Sequence, residues 1–252
     1  MITDSGAGRA AEEEARGGGS VAGNVDPDEL DALQLSDSFF PTGMFASSGG
    51  LELMHAEGMV TTARDLSALC KDVIGRQMAT SDCVALAGAY DAVALPDTRA
   101  VEELDAACRS MKTVREAREA SVRSGVQLCR CVAEFCNDEH LARYMGCIKR
   151  GDASGVYPVA LGVCCRALGI GKEKAALMLL YGFVANMAGA ALRLGMIQHF
   201  EAQKMIHELK PAMREAAASS TAKDASGMWQ FCPHAEILQM AHERMDQRMF
   251  IT

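Results

Sequence analysis

The chain has 252 residues and a net charge of −8; about half of its residues are apolar, yet aromatics make up only 5% of the chain. That length allows one sizeable core, and an interior filled by Ala, Leu, Met and Cys favours packed helices over a β-sandwich. The acidic balance argues against a nucleic-acid binder, which needs clustered Lys and Arg.

The N-terminus carries Glu12, Glu13 and Glu14 where an export signal would be basic and then apolar, so no such signal is read and a cytoplasmic chain is expected. Residues 1–25, with the run Gly17-Gly18-Gly19-Ser20, read as a disordered tail, and residues 26–252 as one helical domain. The ten cysteines are expected to be reduced thiols, because a chain of this size needs no disulfide staples.

In chain order, Leu33 to Gly58 reads as a helix, a tight turn at Phe40-Pro41-Thr42-Gly43 and a second helix, with Phe39, Phe40 and Phe45 unusually close together. A helix starts near Thr62, capped by its hydroxyl with Asp65 in the first turn, and buries Leu66, Leu69, Cys70 and Val73. Another helix is bounded by Pro96-Asp97, and between the two Asp82 to Leu95 forms a third, separate apolar helix rich in Ala and Val. Residues 111–136 predict a long helix with Leu128, Cys131, Val132 and Phe135 on its buried face. Asp138 caps the next helix, Gly151 to Gly155 is a break, and Pro158 opens a helix ending near Gly169.

Ala175 to Ile197 is the most apolar stretch and close to the ~20 residues of a membrane span. Asn186 and Arg193 would be costly in lipid, so it is read as a central helix, about 172–197, with no membrane association expected. Gly182, Ala185 and Gly189 predict close crossing by a neighbour. After Pro211 the helix fades into a polar loop, Ser219 to Gly227, and a last helix places Leu238, Ala241, Met245 and Met249 on one side. The expectation is an all-α, single compact bundle of about eight to ten helices.

No phosphate-binding loop is present: near Gly171-Lys172, Arg166 stands where the first Gly should be and Glu173 where the hydroxyl should be. No G-x-S-x-G elbow occurs, and the S-x-x-K spacing at Ser220 to Lys223 lacks its companion motifs. Catalytic residues and cofactors are therefore assigned to none. Cys129, Cys131, Cys136 and His140 fall close together, but helix positions two apart diverge by about 200°, and buried apolar thiols are the simpler reading. His199 with His207, and His234 with His242, lie about 12 Å apart along a helix, so surface or helix-end roles are expected for the histidines and no metal residue is assigned. Lys112, Arg115, Arg118 and Arg123, interleaved with Glu116 and Glu119, read as a solvated face of i,i+4 pairs, with an acidic partner as the alternative.

Four segments in order carry a resemblance. Leu33-Gln34-Leu35-Ser36-Asp37-Ser38 is followed by Pro41-Thr42-Gly43 and Ser48-Gly49-Gly50-Leu51-Glu52. A Ser- and Gly-containing helix spans Ala120 to Cys129, and Tyr157-Pro158-Val159-Ala160-Leu161-Gly162 leads to Leu168-Gly169-Ile170. Last come Ala190-Ala191-Leu192-Arg193-Leu194 with Gln198, then His242-Glu243 and Arg248-Met249-Phe250. From residue 30 to 252 the chain resembles the urease accessory proteins of the UreF family, departing from it at Ser47 (often His), at Gly195-Met196-Ile197 and at Met249 (usually Leu).

The resemblance implies an all-α protein, commonly a homodimer, that is a scaffold and not an enzyme. It would bind UreD (also called UreH) and recruit the GTPase UreG, so that nickel enters apo-urease. The partner-binding residues it implies are Phe45, Ser48, Glu52, Arg193, Gln198, His242, Arg248 and Phe250. Phe45 would lie near the partner surface, or else pack in the core; Arg248 would help order the C-terminus on binding, or else serve as a helix-end cation. The alternative function is a nickel-binding metallochaperone using Cys129, Cys131, Cys136 or the histidines.

Overall fold

The computed structural model describes residues 27–43, 47–244 and 248–250; the expected tail, Phe45 and Met245 fall outside them. Every regular element among the described residues is helical. In chain order these are α1 (Pro27–Ser36), α2 (Leu51–Ala56), α3 (Ala63–Val73), a π-helical stretch (Ile74–Asp82), α4 (Cys83–Ala92), α5 (Arg99–Met111), α6 (Arg115–Ala133) and α7 (Glu139–Arg150). They are followed by α8 (Tyr157–Ala167), α9 (Lys172–Arg193), α10 (His199–Thr221), a 3₁₀ turn (Ala225–Gly227) and α11 (Pro233–His242).

Local chemistry sets several boundaries. Thr62 accepts from the Asp65 amide while the Asp65 carboxylate takes the Thr62 amide, a reciprocal capping box at the start of α3. Asp138 accepts from the amides of His140 and Leu141 and starts α7. Gly151, with φ of 86°, ends it in the left-handed conformation that glycine adopts without penalty.

Two helices share the interior. In α8 every residue from Pro158 to Cys165 is buried, with α4 and α6 on either side. The long apolar α9 packs on α10, α4 and α8. By length and composition α9 passes as a membrane span, yet just over half of its most apolar window is buried inside the fold.

Several readings are corrected. First, Asp82 does not open a separate helix: α3 continues through the π-helical stretch into α4. The widened turns present carbonyls sideways, and the segment after α10 uses them. The amides of Phe231 and Trp229 donate to the carbonyls of Arg76 (2.9 Å) and Thr80 (3.1 Å), and Lys223 Nζ donates to that of Ala79 (3.1 Å). Second, no neighbour crowds Gly182 or Gly189; the close crossings are at Gly162 on the Leu86 carbonyl of α4, and at Gly125 on the Gly155 carbonyl beside α8, where a Cβ would collide with backbone. Third, α10 runs ten residues beyond Pro211, to Thr221, and α6 begins only at Arg115. The buried face of α6 is Gly125, Leu128, Cys129 and Val132, while Phe135 is exposed.

Candidate partner interface

The chain closes on itself at one carboxylate. Glu52 stands in the first turn of α2, which Gly50 enters with φ of 84°; a side chain at Gly50 would strike Gln239 of α11. Gln239 in turn donates to the Gly49 carbonyl at 3.0 Å, fixing α11 across the start of α2. This contact aims α11 so that His242 Nε2 sits 2.9 Å from Glu52 Oε2, and the amides of Met249 and Phe250 donate to Glu52 at 2.7 and 3.2 Å. Glu52 is 9% exposed, His242 1% and Phe250 4%. Burial pushes the Glu52 carboxyl up, but the bonds from His242, Met249 and Phe250 outweigh it, and its pKa falls below the usual value.

A second carboxylate, Glu116 in the first turn of α6, completes the clasp. Arg248 Nη1 donates to its Oε1 at 2.8 Å. Its Oε2 lies 3.9 Å from His242 Nδ1, and both of these buried atoms lack a hydrogen-bond partner. Glu243 bridges Arg115 at 3.1 Å and accepts from the Glu116 amide at 3.3 Å. The Arg193 guanidinium, from the end of α9, stacks over the Phe250 ring with its carbon 4.4 Å from the centroid.

Of the candidate residues, Glu52, Arg193, His242, Arg248 and Phe250 therefore meet in one cluster. Ser48 is buried just ahead of it, its carbonyl accepting from Leu51. Gln198 stands elsewhere: it is exposed and caps α10 in a box with Glu201.

Sequence reasoning missed Glu116 and Glu243. The stripe around Glu116 is not a solvated ladder of i,i+4 pairs. Half-buried Lys112 pairs with Asp82 at 2.7 Å, Arg115 reaches Glu243, and Arg118 binds the carbonyls of Lys112 and Thr113. His242 does end a helix, α11, as one of the expected roles had it, but it is buried there against two carboxylates and is not at the surface. A His-Glu pair beginning where a helix ends, opposite a stripe containing glutamate, was the only signal available.

The reverse side of α11 is left open: Ile237 and Met240 are 63% and 42% exposed, Ala241 is exposed beside them, and Phe231 and Met249 are exposed on the flanking segments. Of the expected side, Leu238 packs on the core beside buried Ala235 and His242, Ala241 is exposed, and Met249 lies beyond the end of the helix. An apolar helix face bordered by ionic groups is the composition of a protein-binding surface.

The cysteines do not converge on an ion site. Cys129 faces Cys164 of α8 at 3.9 Å, while Cys131 accepts from Gln127 on its own helix. Among the described residues no group of three or more His, Cys, Asp or Glu side chains is placed to hold a metal. Burial raises the thiol pKa of Cys70, Cys108 and Cys165 to about 12, the behaviour of thiols serving as small apolar groups.

The profile of the UreF family matches residues 60–210. The chain is 29% identical over 223 residues to a urease accessory protein UreF of Trichodesmium erythraeum, covering 88% of this chain and 96% of that protein. It is 31% identical over 225 residues to a urease accessory protein UreF 1 of Brucella melitensis, covering 89% and 93%. Against a urease accessory protein UreF of Paenarthrobacter aurescens it is 30% identical over 224 residues, covering 89% and 98%. With matches extending over most of both partners, on a body whose described regular elements are all helical, the chain belongs to the UreF family of urease accessory proteins.

Proposed function

We propose that this protein is a non-catalytic scaffold of urease maturation in the cytoplasm, acting as a homodimer. It binds UreD (UreH), the pair recruits the GTPase UreG, and the assembly delivers nickel to apo-urease. The observation that carries this reading is the clasp. Glu52 and Glu116 hold the C-terminal residues Arg248 to Phe250 against the body through directional, charge-assisted bonds, beside the apolar outer face of α11. A terminus held by a few exchangeable bonds next to an open apolar surface suits recognition by contact: a partner docks on the face and trades for those bonds.

Arg248 is the residue to test. Its side chain is one-third exposed at the Glu116 pair, so its removal costs the fold little, while a partner carboxylate would lose a bidentate donor. Arg248→Ala is expected to reduce co-purification with co-expressed UreD and to leave the far-UV helical signal unchanged. Complex recovered in undiminished yield would remove Arg248 from the interface.

A further inference from the structure

A second surface, separate from the outer face of α11, runs along α6. The helices α6 and α9 form the walls of a cleft of about 890 Å³, with Tyr157, Pro158 and Leu161 of α8 in its floor. One face of α6 lines it from Glu116 to Arg130, a span of about 21 Å at 1.5 Å per residue. Opposite, α9 contributes Met178, Gly182 and Asn186.

Three features define what fits. The walls are largely apolar, and Gly182 leaves open space where any other residue would project a side chain. Deep in the cleft Asn186 is 8% exposed; its Nδ2 donates to the Ser47 carbonyl, while its buried Oδ1 has no partner, and an unmet buried acceptor calls for a donor. On the rim, Arg123 and Arg130 are exposed, and no carboxylate among the described residues pairs with either. They are seven positions apart, two helical turns or about 10.5 Å. Of the three carboxylates that line the cleft, Asp82 is neutralised by Lys112 and Glu116 by Arg248, while exposed Asp37 accepts from the Phe39 amide.

We propose that this cleft receives an amphipathic α-helix of about four turns from a protein partner. Its apolar face lies over α8, two carboxylates at i and i+7 pair with Arg123 and Arg130, and a side-chain donor reaches Asn186 Oδ1. A single-headed amphiphile would satisfy only one guanidinium, whereas helical periodicity satisfies both. Glu116 ends the cleft and also holds Arg248, so an occupant would abut the clasp.

The test uses the full chain and two fluorescein-labelled synthetic helices about 16 residues long, ~24 Å, each with a Leu/Ala face; one carries Glu at the two edge positions and the other Lys. Anisotropy should show saturable binding of the Glu peptide, at least about tenfold tighter than the Lys peptide. Gly182→Trp and Ala120→Met, both filling the cleft from helical positions, should weaken it by about tenfold with the helical signal retained; either folded variant suffices. Arg123→Glu with Arg130→Glu should reverse the preference between peptides. Absence of saturable binding, equal affinity for both peptides, or binding insensitive to the filling variants would overturn the proposal. So would conversion of a dimer to a monomer by Gly182→Trp in size-exclusion chromatography, because the cleft would then belong to a second copy.

Discussion

His242 and Glu52 stand 190 positions apart in the chain and 2.9 Å apart in space, with the imidazole 1% exposed. Besides the imidazole, Glu52 holds the amides of Met249 and Phe250, so deleting its carboxylate strands three donors at once. Glu52→Ala is expected to cost about 3 kcal/mol, the scale of removing a buried carboxylate that satisfies several hydrogen-bond partners. The loss should appear as a lower urea midpoint and as faster amide exchange at Met249 and Phe250, with exchange in α8 little altered. Unchanged protection of those two amides would show that the terminus is held by other contacts.

Acid should open the same clasp. The folded-state pKa of Glu52 is depressed, because bonds from His242, Met249 and Phe250 outweigh the upward push of burial. A depressed carboxyl contributes stability that is fully present above its unfolded value and is lost as pH falls through the folded one. Asp65, Asp224 and Glu243 are also depressed, by Thr62, Ser226 and Arg115 first of all, so the wild-type curve contains all four. Subtracting the curve of Glu52→Gln isolates Glu52: the difference in stability should be constant near neutrality and shrink below the usual carboxylate range. A difference independent of pH down to pH 3 would contradict the assignment.

Local chemistry was legible and long-range chemistry was not. Thr62 with Asp65, and Asp138 before α7, need only neighbours within three residues, and both caps formed as read. The divergence of Cys129 and Cys131 followed from helix geometry alone. The π-helical stretch was invisible, since a widened turn leaves the apolar pattern of Leu66 to Leu86 almost unaltered; its purpose appears only in the carbonyls taken by Trp229 and Phe231. Small residues announced a close crossing but not where. Glu52, His242, Arg248 and Phe250 entered through family resemblance, and Glu116 stayed hidden because its partners lie more than a hundred positions away.

The glycines give opposite signs in one experiment. A Cβ at Gly125 or Gly162 meets backbone carbonyls that cannot rotate away, whereas one at Gly182 meets open space. Gly125→Ala and Gly162→Ala should each destabilise by about 2 kcal/mol or more, the overpacking cost exceeding the gain in helix propensity. Gly182→Ala should stabilise by about 0.5–1 kcal/mol. Urea midpoints measure all three, and a stabilising Gly162→Ala would refute the close contact of α8 with α4.

Asp105 supports the break before α8. Its fully buried carboxylate accepts from Tyr144 Oη at 2.8 Å and from the amides of Ser154, Gly155 and Val156. An amide in its place would turn one NH2 toward these donors, so Asp105→Asn is expected to lose about 3 kcal/mol, against about 1 kcal/mol for Tyr144→Phe, which removes a single bond. If the two cost the same in thermal melts, the loop amides draw little from Asp105.

The outer face of α11 separates binding from stability. Ile237 and Met240 are both exposed, at 63% and 42%, so Ile237→Lys with Met240→Lys should shift the thermal midpoint little, as exposed substitutions do. In the proposed assembly the same pair would place two ammonium groups in an apolar contact, at about 2 kcal/mol or more in affinity and thus over tenfold in Kd. Co-expressed UreD pulled down by the double variant should fall accordingly, while Gln198→Ala, at the cap of α10 and outside the cluster, should retain the wild-type yield. Equal recovery with the double lysine variant would move the docking surface away from α11.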